Sequence, residues 1–360
     1  MNLQWPGDSD EPLTLCLERL AERDGQLADK ADWPGGLWAE LVRVGAHQWA
    51  VDQATGAVDP DRVLALRRYA QIASGSLSAA FILTQHDASV RRLAVALAQN
   101  QRLLEHIRGD QSFVTVGISQ LTTSRRHGAH AMRVTPAGDG FVLNGIMPWV
   151  TAADHAQVIV TGGILDDGRQ LLAHVRVGQK GLTIDAPFDL AAMRCSRTSG
   201  VRCADVVVAA DQVLAGPSDD VMSTPGLTGT GGLETSALAL GQAFCAIRSL
   251  GSESEQRPEL KDSFEALASN WHETWSMLEA TAVAEPGSLP SSAIRSQANS
   301  LALRSTQAYL TGSKGSGFVS DHPAQRWARQ ALFFLVWSCP SPVARAAIDG
   351  FAGVCESGLG

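Results

Sequence analysis

The residues able to do chemistry in this chain are few and scattered. Its six cysteines stand at positions 16, 195, 203, 245, 339 and 355, with no Cys-x-x-Cys pair and no ligand spacing with histidine. They read as reduced, mostly buried thiols, and no metal site is expected from them. His86 follows Thr84 and Gln85 at the end of an apolar stretch. The spacing reads it as a helix-terminal histidine bonded to backbone, with a catalytic role as the alternative. Ser119, Thr122 and Thr123 form a hydroxyl-rich stretch able to donate hydrogen bonds to an electron-rich group. A plain Ser/Thr-rich loop is the competing reading. Thr224 to Gly232 is rich in glycine but lacks the strand before and the helix after that a dinucleotide loop requires. Glu234 stands in the first turn of the helix that follows, where the helix dipole favours a carboxylate.

The elements that must position these residues change character along the chain. Residues 11 to 110 read as helix. Leu13, Leu15, Cys16, Leu20 and Leu27 have helical spacing, and Trp33 to Gly36 breaks the pattern. A second short helix is expected over Leu37 to Val44. A third begins with Asp59 as N-cap and Pro60 at the first helical position. Ser76 to Gln85 and Ser89 to Gln99 continue the pattern as separate segments. From about 113 to 215 the chain reads as antiparallel β structure. Gly138 to Gly140 signals a turn. Asn144 and Gly145 then predict a tight hairpin between Phe141–Leu143 and Ile146–Thr151. A second hairpin turns at Asp166, Asp167 and Gly168, between Ala156–Thr161 and Leu171–Val177. Gly181–Ile184 and Val201–Val208 complete the strands. Four long helices follow, over Leu233–Leu250, Arg257–Ala284, Ser291–Leu310 and His322–Trp337, and suggest a bundle. The stripe of Trp271 and Trp275 reads as its core.

The chain has 360 residues, of which 45% are hydrophobic and 18% charged, a globular composition with ample core. Its net charge of −8 argues against nucleic acid as a partner. No apolar run approaches the roughly 20 residues of a membrane span. Met1 to Asp10 is acidic and lacks the basic start and apolar core of a signal peptide, so a cytoplasmic protein is expected.

Leu143, Asn144, Gly145, Trp149, Val150, Thr151, Ala153 and Asp154 match a pattern of the acyl-CoA dehydrogenase family, Leu-Asn-Gly-x-Lys-x-Trp-Ile-Thr-Asn-Ala followed by Ala-Asp. Met193 to Thr198, Val201 to Val206 and Val208 to Gly216 resemble the family's closing strands. The resemblance implies an α+β multidomain protein with an N-terminal all-α domain over 1–112, a central antiparallel β-barrel domain over 113–222 and a C-terminal four-helix bundle over 228–360. It implies FAD as cofactor, held between the β domain and the bundle. Trp149, Thr151 and Ser119 would meet the flavin ring, Gly315 and Gly317 its adenosine end, and Arg257 the FAD of a neighbouring subunit. It also implies a small-molecule substrate, an acyl thioester among the candidates, and a homodimer or homotetramer.

The chain departs from the family where chemistry is decided. The Glu-Pro and Gly-Ser-Asp elements of the ring-contact loop are absent, and Ser124 to His127 replaces them. Near Arg257 the family's Phe-Gly is missing, and the Gln that precedes its Gly-Gly-x-Gly-Tyr is lost. The glutamate that removes the α-proton is replaced by Ser338, and a neutral hydroxyl cannot take a carbon-bound proton without a base of its own. Some members carry the glutamate at the start of the bundle's first helix, which makes Glu234 the relocated candidate. Three functions are therefore expected in competition: a flavin-dependent oxidoreductase with unknown substrate, a flavin-dependent monooxygenase using His86, Ser119 or Ser338, and a non-catalytic relative that has lost its flavin.

Overall fold

The computed structural model describes residues 3–6, 11–52, 57–59, 61–121, 132–224, 232–284, 291–337 and 339–353. Helices occupy the sequence up to Gly109, strands run from Thr115 to Ser218, and helices resume at Leu233. The chain divides into two compact units that do not follow this order. One comprises Met1–Gly25, Asp61–Ala80 and Gly231–Gly360, the other Gln26–Pro60 and Phe81–Thr230.

The first unit is helical. Its centre is α6 (Leu233–Gln256), whose stretch from Thr235 to Ile247 is buried on every face. Helix α3 (Arg62–Gly75) lies against it, and a side chain at Gly241 would collide with the Ala70 carbonyl. The other walls are α7 (Lys261–Val283), α8 (Ser291–Gly312) and α9 (Pro323–Ala331). Trp271 is fully buried, stacks on Trp275 at 5.4 Å and donates to the Leu240 carbonyl at 2.9 Å. The tryptophan stripe is thus core, as its spacing indicates. Asp24 of α1 (Glu11–Leu27) is buried here too, accepting from Ser76 Oγ at 2.6 Å and from Arg326 Nε at 3.1 Å.

Several boundaries differ from the sequence reading. The cap of α3 is Asp61, whose carboxylate accepts from Leu64 N at 2.8 Å. Asp59 instead has φ 43° and pairs with Arg91 at 2.8 Å. The last expected helix breaks at Leu332 into α9 and a single turn, α10 (Phe333–Val336). A further helix, α11 (Ser341–Ala352), follows Pro340 and ends on Gly353 in the left-handed region.

The second unit carries the sheet. Helix α4 (Leu77–Val95) runs unbroken through His86, where the sequence reading had placed a gap. Helices α2 (Gly35–Arg43) and α5 (Leu97–Gly109) accompany it. The strands are β1 (Thr115–Gly117), β2 (Met132–Ala137), β3 (Gly140–Val150), β4 (Val158–Ile164), β5 (Gln170–Arg176), β6 (Leu182–Ile184), β7 (Ser199–Val208) and β8 (Val213–Ser218). They form one sheet in the order β6-β7-β3-β2-β4-β5-β8, with β1 added beside β4. One side of the sheet encloses Leu143, Met147, Ile159, Leu171, Val201 and Val206. On the other, Val158, Val160 and Leu172 pack against Leu93, Leu104 and Ile107.

Two expectations for the sheet need correction. It is not wholly antiparallel, because β1 runs parallel to β4, and β2 is parallel to β4 at Arg133 and Ile164. Parallel neighbours need a long connection, and the β2–β3 hairpin supplies one between β1 and β4. Nor is Asn144–Gly145 a hairpin. The turn lies at Gly138 (φ 60°), and β3 continues straight through both residues, paired with β2 on one side and β7 on the other. Asn144 faces a bulge in β7. Its amide donates to the Asp205 carboxylate at 3.0 Å and its carbonyl accepts from Asp205 N at 2.9 Å, with Asp205 at φ 54°. The second hairpin turns at Gly168 (φ 89°), where the sequence placed it.

Candidate functional site

In the sheet unit, the C-terminal end of β3 meets the start of β7. Ala152 leaves β3 in a left-handed conformation (φ 46°) and donates its N–H to the Ser196 carbonyl at 2.9 Å. Arg197, also left-handed at φ 47°, reaches Asp154 through Nε at 2.9 Å and donates to the Ala31 carbonyl. Ser196 and Thr198 share a hydroxyl hydrogen bond at 2.9 Å. The two motifs read from the sequence, Trp149 to Asp154 and Met193 to Thr198, are thus one corner held by backbone and ion-pair contacts.

The corner presents an aromatic face and buried hydroxyls. Trp149 is 46% exposed and its ring lies 4.8 Å from that of Phe188. The backbone of Phe188 is fixed by its N–H to the Thr198 carbonyl at 2.9 Å. Thr151 is only 1% exposed, and its hydroxyl has no hydrogen-bond partner among the described residues. Ser199, opposite Val150 in the ladder, is the same: buried, with an unpartnered hydroxyl. Buried polar groups left unpaired cost free energy, so two at one corner are informative. Ser119 opens a 3-10 turn that packs against β3. The turn is pinned by Gln120, whose Nε2 donates to Gly117 O at 2.8 Å, Thr161 Oγ1 at 3.1 Å and Gly162 O at 2.9 Å. Thr122 and Thr123 lie outside the described residues.

His86 sits deep in α4, fully buried beside the rings of Trp38 and Phe113. Its Nδ1 accepts from Val114 N at 3.4 Å, which leaves Nε2 to donate to the His47 carbonyl at 3.1 Å. Burial pushes its pKa down to about 3, so the ring is neutral. It is not helix-terminal as the sequence suggested, but it is bonded to backbone, and both ring nitrogens are engaged.

In the helical unit, Arg257 caps the end of α6 and donates through Nη1 to the Gly312 carbonyl, with Nε on Glu259 at 3.2 Å. This joins it to the turn after α8 (Lys314–Phe318), which carries Gly315 and Gly317. Gly315 has open space where a side chain would begin, and Gly317 is pressed against Ser313 and Leu310. The three positions named from the sequence for FAD, Arg257, Gly315 and Gly317, are therefore near one another. Glu234 accepts from Arg62 Nη1 at 2.9 Å, an ion pair between α6 and α3. Ser338 lies outside the described residues. Its neighbours Trp337 and Cys339 carry no carboxylate.

No protein-family profile matches the chain. A probable acyl-CoA dehydrogenase, YngJ of Bacillus subtilis (strain 168), is 24% identical over 177 residues, 47% of each chain. The chain thus matches about half the length of that curated relative. Among solved structures, butyryl-CoA dehydrogenase from Megasphaera elsdenii superposes with a TM-score of 0.76 at 16% identity, covering 97% of this chain and 100% of that one. TdsC from Paenibacillus sp. A11-2, solved with FMN and indole, does so at 0.77 and 16%, covering 96% and 98%.

This is the acyl-CoA dehydrogenase fold. The chain shares that fold with solved members of the family and resembles one probable member over 177 residues. TdsC holds FMN, and the residues of this corner suit a flavin. The buried Thr151 hydroxyl lacks a partner that a flavin heteroatom would supply, and the exposed Trp149 face offers a ring to pack on. Sequence reasoning named Trp149 and Thr151, held Ser196 and Thr198 within a matched motif without giving them a role, and did not name Phe188 or Ser199. The pairing of Trp149 with Phe188 joins residues far apart in sequence, and no local pattern announces it. The alternation in β7 marks Ser199 as facing the same way as Val201, which is the one signal available. Among the described residues no group of His, Cys, Asp and Glu could hold a metal, and no helix is long and apolar enough to cross a membrane.

Proposed function

We propose that this chain is a flavin-dependent oxidoreductase that does not remove an α-proton from acyl-CoA. A bound flavin would supply the two-electron acceptor. Thr151 would hydrogen-bond its ring, Ser119 would add a donor, and Trp149 would pack against one face. Gly315 and Gly317 suit the adenosine end of FAD and Arg257 the FAD of a neighbouring subunit, whereas TdsC carries FMN, so the nucleotide is read by mass spectrometry of the extracted cofactor. The substrate is a small molecule and the enzyme a homodimer or homotetramer, checked by light scattering.

The observation that carries this reading is that the carboxylate named as a relocated base is held in an ion pair. Serine stands at position 338, and the one relocated candidate, Glu234, is engaged by Arg62 at 2.9 Å. An ion pair favours the ionised carboxylate but also fixes it and weakens it as a base. His86 does not replace it, being neutral with both nitrogens engaged.

The same observation favours a second reading, a flavin monooxygenase, which needs a dry pocket and oxygen but no α-base. The likeness to TdsC, which holds indole beside FMN, supports it. The test is anaerobic bleaching of the flavin-loaded protein by acyl-CoAs of several chain lengths, in wild type, Ser338→Glu and Glu234→Gln. Wild type is expected not to bleach. Bleaching by wild type that is lost in Glu234→Gln would establish a relocated base and overturn the proposal. Oxygen consumption with a reduced-flavin supply then separates the two readings.

A further inference from the structure

Residues 3–6 belong to the helical unit but to none of its helices. Trp5 precedes a proline, which biases it towards extended backbone. Alternate side chains of an extended segment face the same way, and burial alternates here: Leu3 is buried, Gln4 exposed and Trp5 half-buried. The Trp5 ring lies 4.1 Å from that of Phe244 on α6, with the planes 22° apart. It stands edge-on to Trp271 and Trp275 on α7, at 5.4 and 5.8 Å. Trp271 and Trp275 stack within 7° of parallel, and Phe244 meets Trp271 edge-on at 5.3 Å. Three rings thus form a slot with the stacked and edge-on geometries that aromatic pairs prefer, and one indole fills it.

Little else holds the segment. Among the described residues, no hydrogen bond or ion pair involves residues 3–6. Its attachment is the indole in the slot and the burial of Leu3. Trp5 keeps part of its surface in solvent, so the slot faces outward on that side. With Trp5 in place, Phe244, Trp271 and Trp275 are at most 3% exposed. Without it, the faces they turn to the indole would be uncovered. The seated segment therefore shows both the chemistry that the slot takes, a tryptophan on extended backbone, and the direction from which it enters. Recognition of an extended segment through pockets for alternate side chains is a recurring mode of peptide binding.

We propose that Phe244, Trp271 and Trp275 form a docking slot for the tryptophan of an extended peptide, and that residues 3–6 are a detachable strap occupying it from the same chain. Attachment gives the strap an effective concentration on the order of millimolar. A free segment enters only in so far as the strap leaves, so the strap lowers its apparent affinity. The assignment is independent of the flavin.

The probe is a capped peptide of residues 3–6, titrated calorimetrically into full-length protein, with the same peptide carrying alanine for tryptophan as control. Wild type is compared with Trp5→Ala, which empties the slot, and with the double variant Trp5→Ala/Phe244→Leu. The second change removes the stacking ring and keeps the site apolar. The tryptophan peptide is expected to bind Trp5→Ala at least about tenfold more tightly than wild type. The alanine peptide should bind neither, and the double variant should lose about tenfold or more. If the double variant does not fold, the two peptides on Trp5→Ala decide. No binding to Trp5→Ala would overturn the proposal. So would equal binding to wild type, equal binding of the alanine peptide, or full affinity in a folded double variant.

Discussion

At the scale of single residues, the candidate site depends on groups whose bonding is incomplete or fixed. Thr151 is buried with an idle hydroxyl, while Asp154 three residues later receives two Arg197 nitrogens on one carboxylate oxygen. That ion pair is partly exposed, with side chains 29% and 20% accessible, but Arg197 reaches it with two nitrogens. Asp154→Asn should therefore cost about 1 kcal/mol, read as a lowered urea midpoint at constant slope. No change would mean the pair is dispensable and the corner is held by its backbone bonds. Trp149, Thr151 and Asp154 were legible in the sequence because they fall in one short motif. Arg197 was legible only through the resemblance, and Phe188 not at all, since its contact forms across strands. His86 was half legible: its bonding to backbone was anticipated, its place in mid-helix was not. Nothing local marks the Val114 N–H that satisfies it.

At the scale of elements, propensity located most helices and strands, and tertiary pairing decided the exceptions. Asn144–Gly145 is the strongest hairpin signal in the chain, yet β3 runs through it. The strand has neighbours on both sides, and the bulge at Asp205 uses the asparagine side chain instead. The break at Leu332 likewise overrides an apolar run that reads as continuous helix. Close packing has its own signature in small residues. Gly241 on α6 faces the Ala70 carbonyl on α3 with no room for a methyl group. Gly241→Ala gains helix propensity worth up to about 1 kcal/mol, but overpacking of this kind costs about 1–3 kcal/mol. A net loss of about 1–2 kcal/mol in chemical denaturation is the expected result. A stabilised variant would show that α3 and α6 separate easily.

At the scale of the whole molecule, buried histidines tie stability to pH. His86 is held near a pKa of about 3 and His174 near about 4, each mainly by burial, and His47 is also lowered. An unfolded chain takes up these protons near pH 6.5, while the folded chain does not. The unfolded state therefore binds more protons between about pH 6.5 and the folded values, and stability must fall on acidification through that window. For His86 alone the loss between pH 7.5 and 5.0 is about 2 kcal/mol. Urea midpoints at the two pH values, in wild type and His86→Gln, check this: the variant should lose less by that amount. An equal loss in both would remove His86 from the account.

The central claim is that the corner of β3 and β7 holds a flavin. The most direct measurement is the affinity of apoprotein for flavin, by fluorescence quenching, in wild type, Thr151→Val and Trp149→Ala. Thr151→Val keeps the shape and removes only the idle hydroxyl. The apoprotein should be as stable as wild type or slightly more so, because an unsatisfied buried group is lost. Flavin binding should weaken about five- to tenfold, the worth of one hydrogen bond. Trp149→Ala should weaken it further. Wild-type protein that binds no flavin, or variants that fold and bind it unchanged, would contradict the account.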